Sequence, residues 1–287
     1  MVLNIYYLMV SLTALFGGDT TMRAVVPGPL LPVAGATALM PAGMMLPAIS
    51  SGTRDAKLRI YMDDLGKGFD KRVQEVLPKI DGVPRRLLAI RYYMRRKSDM
   101  RTKWTWTPKQ IARYKKSSEY SRSMAEVDSV KWKFNALNPG YNLTTNTEVR
   151  TLDDQIRNWN QTPSILAGAT ELMASCINAI ADSVLYLDDP DRASLARFAR
   201  FLEGCQPSQI PTVAVPGFSQ HGQLRAFDFV VRSGDRIVAG TETGSIRSAW
   251  DRAGWTAKLH DAVTQGSRRF VGPLASPREP WHYTYQP

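Results

Sequence analysis

At 287 residues the chain has room for one ordinary domain with extra elements or for two small ones, and its 44% apolar content is enough to bury a core, which excludes a disordered chain. The formal net charge of +11 is not spread evenly: between Arg85 and Arg122 thirteen Lys and Arg face only Asp99 and Glu119, so this segment carries the whole excess. Two cysteines, Cys176 and Cys205, are too few for a disulfide scaffold and lack the CxxC spacing of a zinc ribbon or redox motif, leaving two free thiols or a single bridge.

Residues 1–50 differ in kind from the rest. Asp19 and Arg23 are their only charges, and "MVLNIYYLMVSLTALFGG" and "MRAVVPGPLLPVAGATALMPAGMMLPAIS" read as leader composition. The first apolar run is shorter than the roughly 20 residues a membrane span needs, and the second is broken by prolines, so neither half makes a good spanning helix. A secretory signal is expected, with an alternative start at Met22 that would supply Arg23 and small residues near Ala34 and Ala36 for cleavage. An uncleaved apolar anchor is the alternative. Export to the periplasm or cell envelope follows from either.

From residue 51 to about 140 the apolar spacing is helical, as in "LRIYMDDLGKGFDKRVQEVL" and "RRLLAIRYYMRRK". "TPKQIARYKK" opens with Thr107 as N-cap and Pro108 as the first helical residue. "NPGYN", Asn138 to Asn142, is a strong turn signal and places a domain boundary, giving regions 51–140 and 141–287. Beyond it Thr151 caps a helix through "LDDQIRNWN", Thr162 and Pro163 open another in "TPSILAGATELMASCINAIADSVLYL", and a third is expected from Pro190, capped by Asp189, to Gly204. The pattern then changes: "TVAV", "RAFDFVV" and "DRIVAG" are short, β-branched or aromatic, and separated by turns, as adjacent antiparallel strands are. A helix near "TAKLHDAVTQG" and a strand in "EPWHYTY" complete the chain. The fold class expected is α+β, with helices packed beside a small antiparallel sheet.

Only three histidines are present, and two of them fall in charged company. His221 and Asp228 lie seven apart across a strand-to-strand passage, and His282 follows Glu279 by three. A catalytic zinc needs three ligands of the His, Asp, Glu or Cys type and an open position, and a nearby carboxylate can serve as base for a water attacking a carbonyl. His260, in "AKLHDAV" on an amphipathic helix, reads as structural or exposed, and Trp281 as packing.

Ser219-x-His221-x6-Asp228 followed by Glu279-Pro-Trp281-His282 resembles the zinc D-Ala-D-Ala carboxypeptidases and dipeptidases, including the vancomycin-resistance D,D-peptidases and the related L-Ala-D-Glu endopeptidases of phage lysins. Those families share S-x-H-x-x-G-x-A-x-D and then E-x-W-H. The resemblance implies Zn2+ held by His221, Asp228 and His282, Glu279 as base, and Ser219 among the substrate-binding residues. An upstream family segment, roughly G-Y-R-S-x-x-x-Q, is similar to "EVRTLDDQ". It implies Arg150 at the oxyanion and Gln155 in substrate binding, with Glu148-Val149 replacing the family Gly-Tyr. The family glycine inside the His-to-Asp loop falls at Leu224. Because leucine resists a positive φ, the turn is expected to re-form around Gly222.

The resemblance spans about 141–287 and leaves the helical basic region without a role. It implies a zinc metallopeptidase acting on peptidoglycan stem peptides, foremost a D-Ala-D-Ala carboxypeptidase. The alternatives are an L-Ala-D-Glu or cross-link endopeptidase and a non-catalytic wall-binding protein with a decayed site. For an exported protein the anion that matches residues 85–122 is an envelope polymer or lipid headgroup; their interleaved aromatics also suit nucleic acid, which an exported chain would not meet.

Overall fold

The computed structural model describes residues 51–287, so the leader expected over 1–50 lies outside the described residues. In chain order the regular elements are α1 (Ser51–Lys67), α2 (Lys71–Val76), α3 (Val83–Arg95), α4 (Pro108–Lys115), α5 (Ser118–Leu137), β1 (Asn142–Thr145), α6 (Leu152–Gln161), α7 (Pro163–Ile180), α8 (Arg192–Gly204), β2 (Ala226–Ser233), β3 (Arg236–Ala239), α9 (Trp255–Gly266), β4 (Phe270–Val271) and β5 (His282–Tyr285). The protein is α+β, helix-rich with a small antiparallel sheet. No helix among the described residues is long and apolar enough to cross a membrane.

Local chemistry explains several helix starts. Thr107 and Gln110 form a reciprocal capping box before Pro108, and Thr151 and Asp154 do the same for α6, each satisfying backbone donors that a helix N-terminus leaves unpaired. Thr162 does stand at the start of α7, but its hydroxyl donates back to the Asn158 carbonyl instead of capping. Two expectations need correction. The third helix starts at Arg192, two residues late, because the Asp191 carboxylate, not that of Asp189, accepts from the Ser194 N–H. "TVAV", Thr212 to Val215, forms no strand: it runs as unpaired chain along a cleft.

The sheet has the order β1-β2-β5-β4, with β3 also paired to β2, every pairing antiparallel. β2 is its central strand, and its alternation sends Phe227, Phe229 and Val231 into a core while Asp228 and Val230 face the other way. The β2–β5 register sets Asp228 directly opposite His282.

Two hydrophobic clusters build the body. One is helical: Leu58, Leu87 and Ile90 from α1 and α3 pack with Ile165, Leu172 and Phe198 from α7 and α8. The other lies on the inner face of the sheet, where Val127, Val130 and Phe134 of α5 meet Phe229, Trp255 and Leu259. Residues 51–140 therefore contribute to both cores, and residues 51–287 lie in one compact unit in which the packing runs straight across the "NPGYN" turn. Cys176 is buried and Cys205 half-buried, and both are free thiols.

Candidate metal centre

The loop between Pro216 and Arg225 carries the first site residues. Its 3-10 turn, Gln220–Gln223, contains His221 and ends at Leu224, which adopts φ 53°, ψ 31°. Leu224 is the single non-glycine residue with positive φ among the described residues. The turn is thus not re-formed around Gly222, as expected from the sequence; leucine itself takes the left-handed conformation. Its cost, on the order of 1–2 kcal/mol, is offset by burial: the side chain packs with Ile111 and Tyr114 of α4. Val149, the other departure from the family pattern, joins the same cluster. Both replacements dock α4 against the site loop.

Gly222 has a different task. A Cβ there would come within 2.5 Å of Thr105 Oγ1 and 2.8 Å of Gln155 Nε2, so glycine is needed for close approach and not for its φ. Thr105 belongs to the segment Thr102–Trp106, which clasps the loop from beneath. The Thr105 N–H donates to the Gly217 carbonyl at 2.7 Å and the Trp106 N–H to the Gly222 carbonyl at 3.1 Å. The Gln223 amide donates to the Thr102 and Trp104 carbonyls, both at 2.9 Å. Part of the basic region, which the sequence left without a role, is the floor of the site.

Gln155, expected to meet substrate, instead holds the floor and loop together. It is buried, its Oε1 accepts from the Gly217 and Ser219 N–H groups, and its Nε2 donates to Thr105 Oγ1 and the Arg150 carbonyl. Two acceptor and two donor positions are filled, so its amide has no free valence for a ligand. The Arg150 N–H in turn donates to the His221 carbonyl at 3.3 Å, which ties the start of α6 to the loop.

The remaining expected residues converge. His221 Nε2 lies 3.3 Å from Asp228 Oδ2, and His282 Nδ1 lies 2.9 Å from Asp228 Oδ1. One ligand atom from each of the three residues falls within 4.8 Å of the others. Glu279 Oε2 is 3.5 Å from His282 Nδ1, and Arg150 Nη2 is 3.5 Å from Asp228 Oδ2. Ser219 lines the same cleft. His260 is exposed on α9 and takes no part, while Trp281 is buried with its ring 5.9 Å from that of Trp250.

The electrostatics suit a cation. Burial pushes the His221 imidazole below its ordinary value, against the pull of Asp228, so its ring is neutral at physiological pH and a lone pair is available. Burial acts to raise the Asp228 carboxyl, but the two imidazoles outweigh it and hold the group ionised, well below the usual carboxylate range. Burial pushes the Glu279 carboxyl up. His221 Nε2 is also buried without a hydrogen-bond partner, because its approach to Asp228 is misaligned for one. An orphaned ring nitrogen close to a carboxylate and a second imidazole suits a metal position, and this buried group could hold a metal ion.

The cleft above it measures about 760 Å3. Tyr92 of α3, Arg96 just past its end and the unpaired chain 210–215 also line it. None of these was legible as a site residue, since each comes from a stretch whose periodicity reports only a helix or an apolar run. Comparison with family models, curated proteins and solved structures gives no match for the chain.

Proposed function

We propose that the protein is a zinc-dependent peptidase of bacterial wall peptides. The observation that carries the reading is the meeting of His221, Asp228 and His282 with Glu279 and Arg150 on one face of one cleft. Zinc, when bound there, would supply a Lewis acid that makes water nucleophilic near neutral pH. Glu279, whose raised carboxyl pKa makes it a better proton acceptor than an exposed carboxylate, would take the proton of the attacking water and deliver it to the departing amine. Arg150, anchored through its backbone on both sides, would hold its guanidinium against the negative charge that grows on the carbonyl oxygen. Ser219 would contact the peptide from the cleft wall.

The substrate class rests on the sequence resemblance, which puts the terminal D-Ala-D-Ala bond first and internal L-Ala-D-Glu or cross-link bonds second. The apolar composition of residues 1–50 supports an envelope location. There the exposed Arg101, Lys109, Arg113, Lys115, Lys116 and Arg122, none ion-paired with a carboxylate of the described residues, would adhere to an anionic polymer or headgroup.

The test is mass spectrometry of purified peptidoglycan fragments incubated with the zinc-loaded protein and with Glu279→Gln. Wild type should cut, and the variant should bind zinc yet turn over at least about a hundredfold more slowly. Normal turnover by the variant would remove Glu279 as the base. A zinc-loaded wild type that cuts no fragment would favour the wall-binding alternative.

A further inference from the structure

Lys109, Arg113 and Lys116 are exposed and stand four and three residues apart along α4 and its C-cap, so they share one face over about 10 Å of helix axis. Ile111 and Tyr114 are buried on the opposite face. None of the three cations is ion-paired among the described residues. Like charges at this spacing repel one another, so the stripe weakens the helix that bears it unless an anion lies along it.

The aromatics interleaved with these cations are turned inward. Trp104 and Tyr114 are buried, Trp106 and Tyr120 half-buried. Tyr114 takes Trp106 at 4.7 Å and Tyr120 at 5.6 Å, and the Arg225 guanidinium lies 5.2 Å from the Trp106 ring. Residues 101–122 expose no large apolar side chain. The stripe thus offers neither a platform on which bases stack nor an apolar anchor for a bilayer. What matches it is repeating charge with little else, as a linear phosphate polymer carries.

The same helix holds the site loop. Eight residues are too few for a helix to persist alone, and α4 is held through Ile111 and Tyr114 against Leu224 and Val149. Leu224 keeps its left-handed backbone because that contact buries its side chain. Docked α4 and this loop conformation are therefore one state, and His221 lies within it, three residues before Leu224.

We infer that a linear phosphate polymer lying along Lys109, Arg113 and Lys116 fixes α4 and, through Leu224, the loop that carries His221, so that polymer binding primes the candidate metal centre. By linkage, a bound metal tightens the hold on the polymer by the same factor. This rests on the metal-centre reading and adds a regulator to it.

The experiment uses the full chain, sodium polyphosphate as the probe, and the triple variant Lys109→Gln, Arg113→Gln, Lys116→Gln, whose glutamines keep helix propensity. Polyphosphate should bind the wild type about tenfold more tightly than the variant at low salt, and less tightly as salt rises. Equal affinities would overturn the inference, as would tighter binding of phosphatidylglycerol vesicles or double-stranded DNA at equal phosphate concentration.

Hydrogen exchange of the metal-free protein reads the coupling. With polyphosphate the Trp106 and Leu224 amides, bonded to the Gly222 and His221 carbonyls, should exchange about fivefold more slowly, with the β2–β5 amides unchanged and no effect in the variant. Bound polymer with unchanged exchange at those two amides would overturn the inference. Zinc affinity, measured for both proteins at one polyphosphate concentration so that chelation by the polymer cancels, should be about fivefold higher for the wild type; equal affinities would overturn the priming. Zinc binding by neither protein would remove the metal-centre reading, and the exchange result would still decide whether the polymer fixes the loop.

Discussion

Replacing Gly222 by alanine tests the floor of the candidate metal centre most directly. The backbone of Gly222 has no positive φ, so the change carries no left-handed penalty and acts through space alone. The new methyl would stand 2.5 Å from Thr105 Oγ1 and 2.8 Å from both Thr105 Cγ2 and Gln155 Nε2. Those two polar groups are bonded to each other at 2.7 Å, and Gln155 makes three further bonds to the backbone of Arg150, Gly217 and Ser219, so neither has an easy retreat. Overpacking of a filled interior costs about 1–3 kcal/mol, and one displaced buried hydrogen bond adds about 1 kcal/mol. A total near 3 kcal/mol is roughly a 150-fold loss in the folding equilibrium. His221 is the neighbouring residue, so metal affinity should also fall by about tenfold or more. Urea denaturation of the metal-free protein and zinc titration by calorimetry measure the two effects. Coupling confirms the cause: adding Thr105→Ala should recover part of the loss although that change is destabilising alone. A Gly222→Ala protein within about 0.5 kcal/mol of wild type would refute the close-packed floor.

Three other outcomes follow from the same geometry. Leu224→Gly relieves the left-handed strain but removes a buried side chain, so a net loss of about 1–3 kcal/mol is expected by denaturation; a gain in stability would show that the contact with Ile111 and Tyr114 contributes nothing. In the metal-free protein the unfolded chain takes up a proton at His221 below about pH 6.5 that the folded chain resists, and Asp228 contributes full stability above about pH 3.9 that is lost as pH falls further. Urea midpoints should therefore drop on acidification, with a shallower acid limb in Asp228→Asn; a flat profile between pH 7 and 5 would contradict the burial of His221. Burial pushes the Cys176 thiol up to about 12, so a thiol reagent at pH 8 should label it only upon unfolding, and rapid labelling at Cys176 in the native protein, read by peptide mapping apart from Cys205, would place it outside the helical core.

The meeting of His221, Asp228 and His282 was legible in the sequence because their chemistry is rare: three histidines limit the choices, and strand pairing sets Asp228 opposite His282. Helix starts with strong local signals, Thr107-Pro108 and Thr151, were legible for the same reason: a cap is decided within four residues. Most of what failed depends on contacts distant in sequence; the cap of the third helix is the local exception. Asp189 and Asp191 are equivalent as local caps, and only the approach to Ser194 separates them. "TVAV" has strand composition but no partner strand beside it. Gln155 matched a motif position, yet its amide is committed to Thr105, fifty residues away, in a segment that the motif does not include. Leu224 broke a conformational rule at a place where tertiary packing compensates.

The three candidate ligands do not share one foundation. Asp228 and His282 stand on the sheet and move with its core, whereas His221 is fixed by Thr105, Gln155 and Arg150, groups rooted among the helices. An ion that bonds all three spans the seam between the two cores and acts as a rivet across it. Its binding energy would stabilise their mutual docking more than either core alone. Chelation should accordingly open the seam first, so that the cores melt separately in the stripped protein and together in the loaded one.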